Sequence, residues 1–106
     1  MGLFSKKAID LTALQDFWKW FEENEEWIKA NVNTNGMDVV WAIDERIKPV
    51  FPYFKKELEF QLGYNDGTGE FFFFHFNNAN LKRDAEIFKN AMPENLAKCW
   101  TIILDA

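Results

Sequence analysis

The chain has 106 residues with one cysteine and one histidine, and each scarcity excludes a class of chemistry. A lone thiol, Cys99, cannot close an internal disulfide, so nothing marks an oxidising compartment. One Cys and one His (His75) cannot assemble a zinc site, and Asp66-Gly67-Thr68-Gly69-Glu70 lacks the spaced carboxylates of a calcium loop. Five glycines, none in a phosphate-cradling arrangement, leave no dinucleotide fingerprint and no nucleophile elbow. The sequence thus implies no cofactor and no metal. No stretch approaches the roughly 18–20 apolar residues that a membrane-spanning helix needs. The start, Met1-Gly2-Leu3-Phe4-Ser5-Lys6-Lys7, has no apolar core or cleavage site of a signal peptide, and Lys6 stands where myristoylation wants Ser or Thr. Arginine is scarce as well, with Arg46 and Arg83 alone. Twelve basic against 17 acidic residues give a net charge of −5. Phosphate recognition needs clustered cations, and the pairs Lys6-Lys7, Lys55-Lys56 and Lys82-Arg83 are scattered. These absences predict an acidic, bacterial-type cytoplasmic protein with no nucleic-acid and no membrane partner.

What the chain has in excess is aromatic residues. Five Trp, two Tyr and twelve Phe make up 18% of it, within 48% hydrophobic and 27% charged residues. That is globular composition, and the length suits a single domain over residues 1–106.

Leu14, Phe17, Trp18, Phe21 and Ile28 repeat at helical spacing and predict a first helix over Leu11–Ala30, with Glu25 and Lys29 as an i, i+4 pair. Asp10 is the expected N-cap with Ile9 stapled to Leu14, and Thr12 with Gln15 is a competing capping box. Asn31 to Gly36 is a cluster of turn formers. Met37, Val40, Trp41, Ile43 and Ile47 then carry a second helix that Pro49 ends or kinks. Val50, Phe51, Tyr53 and Phe54 read as an irregular connector packed under a sheet.

From Glu57 the period changes to two. Leu58, Phe60 and Leu62 alternate with Glu57, Glu59 and Gln61, and Asp66-Gly67 separates this strand from a second over Glu70–Phe76. Leu81, Ala85, Ile87 and Phe88 mark a third helix before Pro93, and Cys99–Leu104 is a last strand. The order α-α-β-β-α-β defines an α+β domain, with a small, mainly antiparallel three-stranded sheet packed against helices. The chain ends straight after that strand, so continuation past Ala106 stays open.

The hairpin is lopsided. Its first strand has a polar face, whereas Phe71 to Phe74 are apolar on both faces. Such a strand is expected to be central and covered on both sides, either by a helix of its own chain, which is the favoured reading, or by a partner or second copy. Its register is open. One pairing sets Leu58, Phe60 and Leu62 with His75, Phe73 and Phe71; a one-residue slip groups them with Phe76, Phe74 and Phe72 and brings Glu57 opposite His75.

His75 and Cys99 are the one conceivable base and nucleophile, but Cys99 sits in a core-like run and no local motif supports the pair, so no catalytic residue is assigned. Glu22, Glu23, Glu25 and Glu26 form an acidic patch on the first helix, and Asp44 with Glu45 add another. Trp20 and Trp27 border the first patch, and aromatics ringed by acids are the make-up of a protein-binding hot spot. The candidate interaction residues are therefore Trp20, Glu22, Glu23, Glu26, Trp27, Phe71, Phe73 and His75.

Phe17-Trp18-Lys19-Trp20-Phe21 with Asn24, Pro49…Phe51-Pro52, Leu58-Glu59-Phe60…Gly63, Gly69-Glu70 and Ala91-Met92-Pro93…Trp100 resemble a family of small bacterial proteins of unknown function. The resemblance spans most of the chain and implies a helical N-terminal part, a hairpin, a helix and a terminal strand. It implies no activity and no site residue. The functional expectation is a non-catalytic domain for protein–protein interaction or self-association. One alternative is an immunity-type protein that neutralises a basic toxin, and another is a small hydrolase or ligand-binding domain.

Overall fold

Asp10 starts the first helix as expected. Its side chain accepts a hydrogen bond from the Ala13 amide at 3.0 Å, while its own amide donates to the Val50 carbonyl at 2.9 Å. In the computed structural model, which describes residues 8–105, α1 runs over Leu11–Glu23 and buries Leu14, Phe17, Trp18 and Phe21. Residues 1–7, on which the reading of the N-terminus rests, and residue 106 lie outside the described residues.

The helix expected over Leu11–Ala30 is broken at Asn24. The Asn24 side-chain amide donates to the Trp20 carbonyl at 2.9 Å, and its backbone amide bonds to the carbonyls of Trp20 and Phe21. A short polar side chain that competes for backbone partners ends the ladder there. A separate helix, α2 (Glu25–Asn31), follows with Ile28 buried.

Helix α3 (Gly36–Ile47) corrects the expected apolar stripe. Its buried positions are Val39, Ile43 and Ile47, and Met37 and Trp41 face outward. A 3-10 turn over Lys48–Val50 takes Pro49 near its start, where the missing amide costs no bond, and places Val50 and Phe51 in the core.

The expected α+β order is present, with a four-residue helix added before the last strand. Strand β1 (Glu59–Asn65) pairs antiparallel with β2 (Thr68–Phe74). Helices α4 (Ala79–Asn90) and α5 (Glu94–Ala97) form the crossover that a parallel partner needs, and β3 (Trp100–Asp105) then pairs parallel with β2. The three-stranded sheet is therefore mixed, with β2 at its centre.

Phe60 lies opposite Phe73 and Leu62 opposite Phe71 across the hairpin. Of the two registers left open, this is the first. It sends Phe71 and Phe73, with Trp100 and Ile102 of β3, to the face that the helices cover. Phe88 of α4 sits at the middle of that layer. Its ring lies 4.8–5.9 Å, centroid to centroid, from those of Phe17, Trp18, Phe51, Phe71 and Phe73. The Trp18 indole donates to the Phe88 carbonyl at 3.0 Å, so the one polar atom of this buried side chain is satisfied. No helix among the described residues is long and apolar enough to cross a membrane.

Gly69 has a specific role in closing this core. It pairs with Tyr64 on one side and Trp100 on the other, and the two rings come together across it, 5.8 Å apart. A methyl group at Gly69 would overlap the Trp100 indole, which is buried and cannot swing away. Gly63, on the opposite face, has open space around it. Gly69→Ala is therefore expected to lower the unfolding free energy by about 1–3 kcal/mol. Gly63→Ala should stay within about 0.5 kcal/mol of the parent in the same urea titration.

Candidate functional site

The register decides the fate of the aromatic strand. Phe71 and Phe73 are fully buried and His75 is 6% exposed, so these three expected interaction residues are core positions. The reason is the alternation of the strand, which turns 71, 73 and 75 toward the helices and 70, 72 and 74 away from them. Phe72 and Phe74, with Ile103 of β3, are half-buried and form an apolar strip on the outer face between Glu59, Gln61, Glu70 and Thr101. No helix among the described residues covers this strip, so within them the helical cover is on the inner face.

His75 and Cys99 do not form a catalytic pair. Gly69 is level with Trp100, so Cys99 lies at one end of β2 and His75 at the other, about 20 Å apart along the strand. His75 instead accepts a hydrogen bond at Nδ1 from the Asn77 amide, 3.2 Å away. Cys99 donates to Glu25 Oε2 at 3.3 Å, and burial, then that hydrogen bond, push its thiol up in pKa. A thiol held in its protonated form is a poor nucleophile.

Glu25 is the polar centre of this end of the molecule. The break at Asn24 places it in the first turn of α2, where its Oε2 accepts from Cys99 Sγ, from Trp100 Nε1 at 3.0 Å and from Lys29 Nζ at 3.3 Å. Lys29 in turn lies 5.4 Å above the Tyr64 ring. Burial by itself raises the Glu25 pKa, but the three donors and the Lys29 charge outweigh it and hold the carboxyl below its ordinary value. The i, i+4 pair expected from the sequence is thus present, and its role is to pin α2 to β3.

The remaining expected residues are spread over two helices. Glu22 and Glu23 are exposed at the end of α1. Trp20 is half-buried, with the Arg46 guanidinium 4.8 Å above its ring. Beyond the break, Glu26 is solvated and 3.6 Å from Lys29, and Trp27 is partly exposed.

The larger exposed aromatic feature lies on α3, on two residues of the expected helical pattern. Met37 and Trp41 are each 64% exposed and lie four residues apart on α3, beside Asp38 and Glu45. Val39, Ile43 and Ile47 also repeat every four, displaced by two positions, or about 200° around the helix. Two apolar stripes on opposite faces share one period, so periodicity alone does not say which is buried. The signal lay in the residue types, since the β-branched stripe is the stiffer and better core material. Among the described residues no group of three or more His, Cys, Asp or Glu could hold a metal ion.

The fold and these surfaces define a small α+β domain with a filled aromatic core, one open sheet face and an exposed helical ridge. In an alignment of 98 positions that covers 81% of its length, the chain is 34% identical to a glutamate–tRNA ligase of Mycoplasma mycoides subsp. mycoides SC. The match takes in 20% of that protein, so the chain spans about a fifth of the length of the curated relative it matches. No protein-family model and no solved structure matches it.

The Glu25 cluster makes stability depend on pH. A carboxyl whose folded-state pKa is depressed contributes fully above its unfolded value, near 4.5, and loses that contribution as pH falls through the folded value. Glu25→Gln should cost about 1–2 kcal/mol at neutral pH. The gap between parent and variant, measured by urea unfolding, should narrow steadily as the pH is lowered below about 4.5.

Proposed function

We propose that this is a non-catalytic protein-interaction domain, cytoplasmic in setting, whose recognition element is the Met37–Trp41 ridge of α3. The observation that carries this reading is the pair of large apolar side chains, each 64% exposed, on a domain whose core is already full. Keeping an indole in water forfeits a burial worth several kcal/mol, and tryptophan is the residue most enriched among interface hot spots. The neighbours Asp38 and Glu45 favour a partner whose rim is basic, since charge at the edge of an interface selects and orients the partner. An immunity-type role against a basic toxin is one case of this chemistry.

The similarity to a fifth of a longer ligase supports a module that also occurs within larger chains. The net charge of −5 and the two arginines give it poor means of gripping a tRNA backbone, so the reading does not extend to that ligase's activity.

Photocrosslinking in cells tests the reading. Trp41→p-benzoylphenylalanine should yield a discrete adduct that the same substitution at Lys89, exposed on α4, does not. An adduct of twice the chain mass identifies a second copy as the partner. Absence of any adduct at Trp41, or the same adducts at both positions, would contradict the proposal.

A further inference from the structure

An open cleft of about 660 Å³ lies between the connector after α3 and the turn from β2 to α4. Independently of the α3 ridge, we propose that this cleft binds a small planar aromatic acid. That volume falls in the range of small-molecule sites, roughly 300–1,000 Å³.

The first support is backbone strain. Phe76 and Asn77 both hold left-handed conformations, with φ of 53° and 56°. For a residue such as Phe this costs on the order of 1–3 kcal/mol and persists only where the surroundings impose it. Buried His75 imposes it here. Its Nδ1 accepts from the Asn77 amide and its carbonyl accepts from the Asn78 amide at 2.9 Å. The turn throws the Phe76 ring outward, where it is 50% exposed and parallel to Phe54, with the ring planes 4° apart and the centroids 6.3 Å apart. Two parallel rings at the cleft offer a stacking surface for a third.

The second support is the sign of the hydrogen-bonding groups. Lys55 and Lys56 line the cleft, and α4, twelve residues long, begins at it with the positive end of its dipole. Asn78 has its Oδ1 committed to the Asn80 and Leu81 amides, and Asn80 has its Oδ1 committed to Arg83. What these side chains retain for the cleft is their NH2 groups. The buried carboxylate nearby is occupied. Asp84 is buried and accepts two bonds from Arg83, at 2.9 and 3.0 Å, and one from the Tyr53 hydroxyl at 2.7 Å. Burial, then the bond to Asp84, hold the Tyr53 phenol well above its ordinary pKa, so it stays neutral. Glu57, also on the cleft wall, is exposed and lies 4.0 Å from Lys48, whose ammonium sits closer to Asp44 at 2.9 Å, so the two lining lysines outnumber this one carboxylate. In an acidic protein, this cleft presents two rings and a set of donors. A flat ring bearing a carboxylate is complementary to both.

Amide chemical-shift titration with naphthoate tests the proposal, with naphthamide and inorganic phosphate as comparisons. Saturable shifts are expected over residues 54–57 and 76–80, with binding at least about tenfold tighter for naphthoate than for either comparison. The exposed double variant Lys55→Glu/Lys56→Glu should weaken naphthoate about tenfold, and Phe76→Ser about five- to tenfold. Lack of saturable shifts, equal binding of acid and amide, equal binding of phosphate, or full affinity in the lysine variant would each overturn it.

Discussion

The structure depends on the seating of Phe88. This one ring of α4 touches the aromatic side chains of α1, of the connector after α3 and of the inner face of β2, so it joins every layer of the domain. Close-packed interiors transmit any misfit, and a ring shared by five others fixes their relative positions. The parallel pairing of β3 follows from it. Docking α4 against β2 through Phe88 returns the chain to the sheet in the direction of β2, beside its free edge.

With that layer filled, the domain sorts its aromatics by face. Phe71 and Phe73 are enclosed by their own chain, whereas Phe72 and Phe74 lie on a face that no helix among the described residues covers. Two polar anchors hold the ends of the sheet. Glu25 collects the donors at the start of β3, and His75 fixes the turn after β2. Glu25 accepts from neighbouring side chains and His75 Nδ1 accepts from the backbone, which is the ordinary use of a buried polar group. Trp41, Met37 and Phe76 are left outside, and the functional readings rest on them.

Much of the fold was legible in the sequence. The period of two from Leu58, the Asp66-Gly67 turn and the Asp10 cap each name a local structure whose physics is local, and the order of elements followed from them. Tertiary facts were harder to read. The break at Asn24 comes from a side chain competing for backbone carbonyls in an otherwise uninterrupted apolar pattern. The outward face of Met37 and Trp41 was hidden because both stripes of α3 have the same period. Phe71, Phe73 and His75 read as candidate surface in the sequence because register depends on the exact pairing of two strands, and the sequence is compatible with two. The cleft residues come from the connector, the turn and α4, and the left-handed turn that gathers them at Phe76 has no glycine to announce it.

The division between aromatics that hold the fold and aromatics that are free for recognition is tested most directly by urea unfolding of Phe88→Ala beside Trp41→Ala. Loss of Phe88 should cost about 3–5 kcal/mol, the range for emptying a buried aromatic site. Loss of Trp41 should change stability by less than about 0.5 kcal/mol, as for an exposed residue with no structural task. A Trp41→Ala protein destabilised as severely as Phe88→Ala would contradict this division and return the α3 ridge to the core.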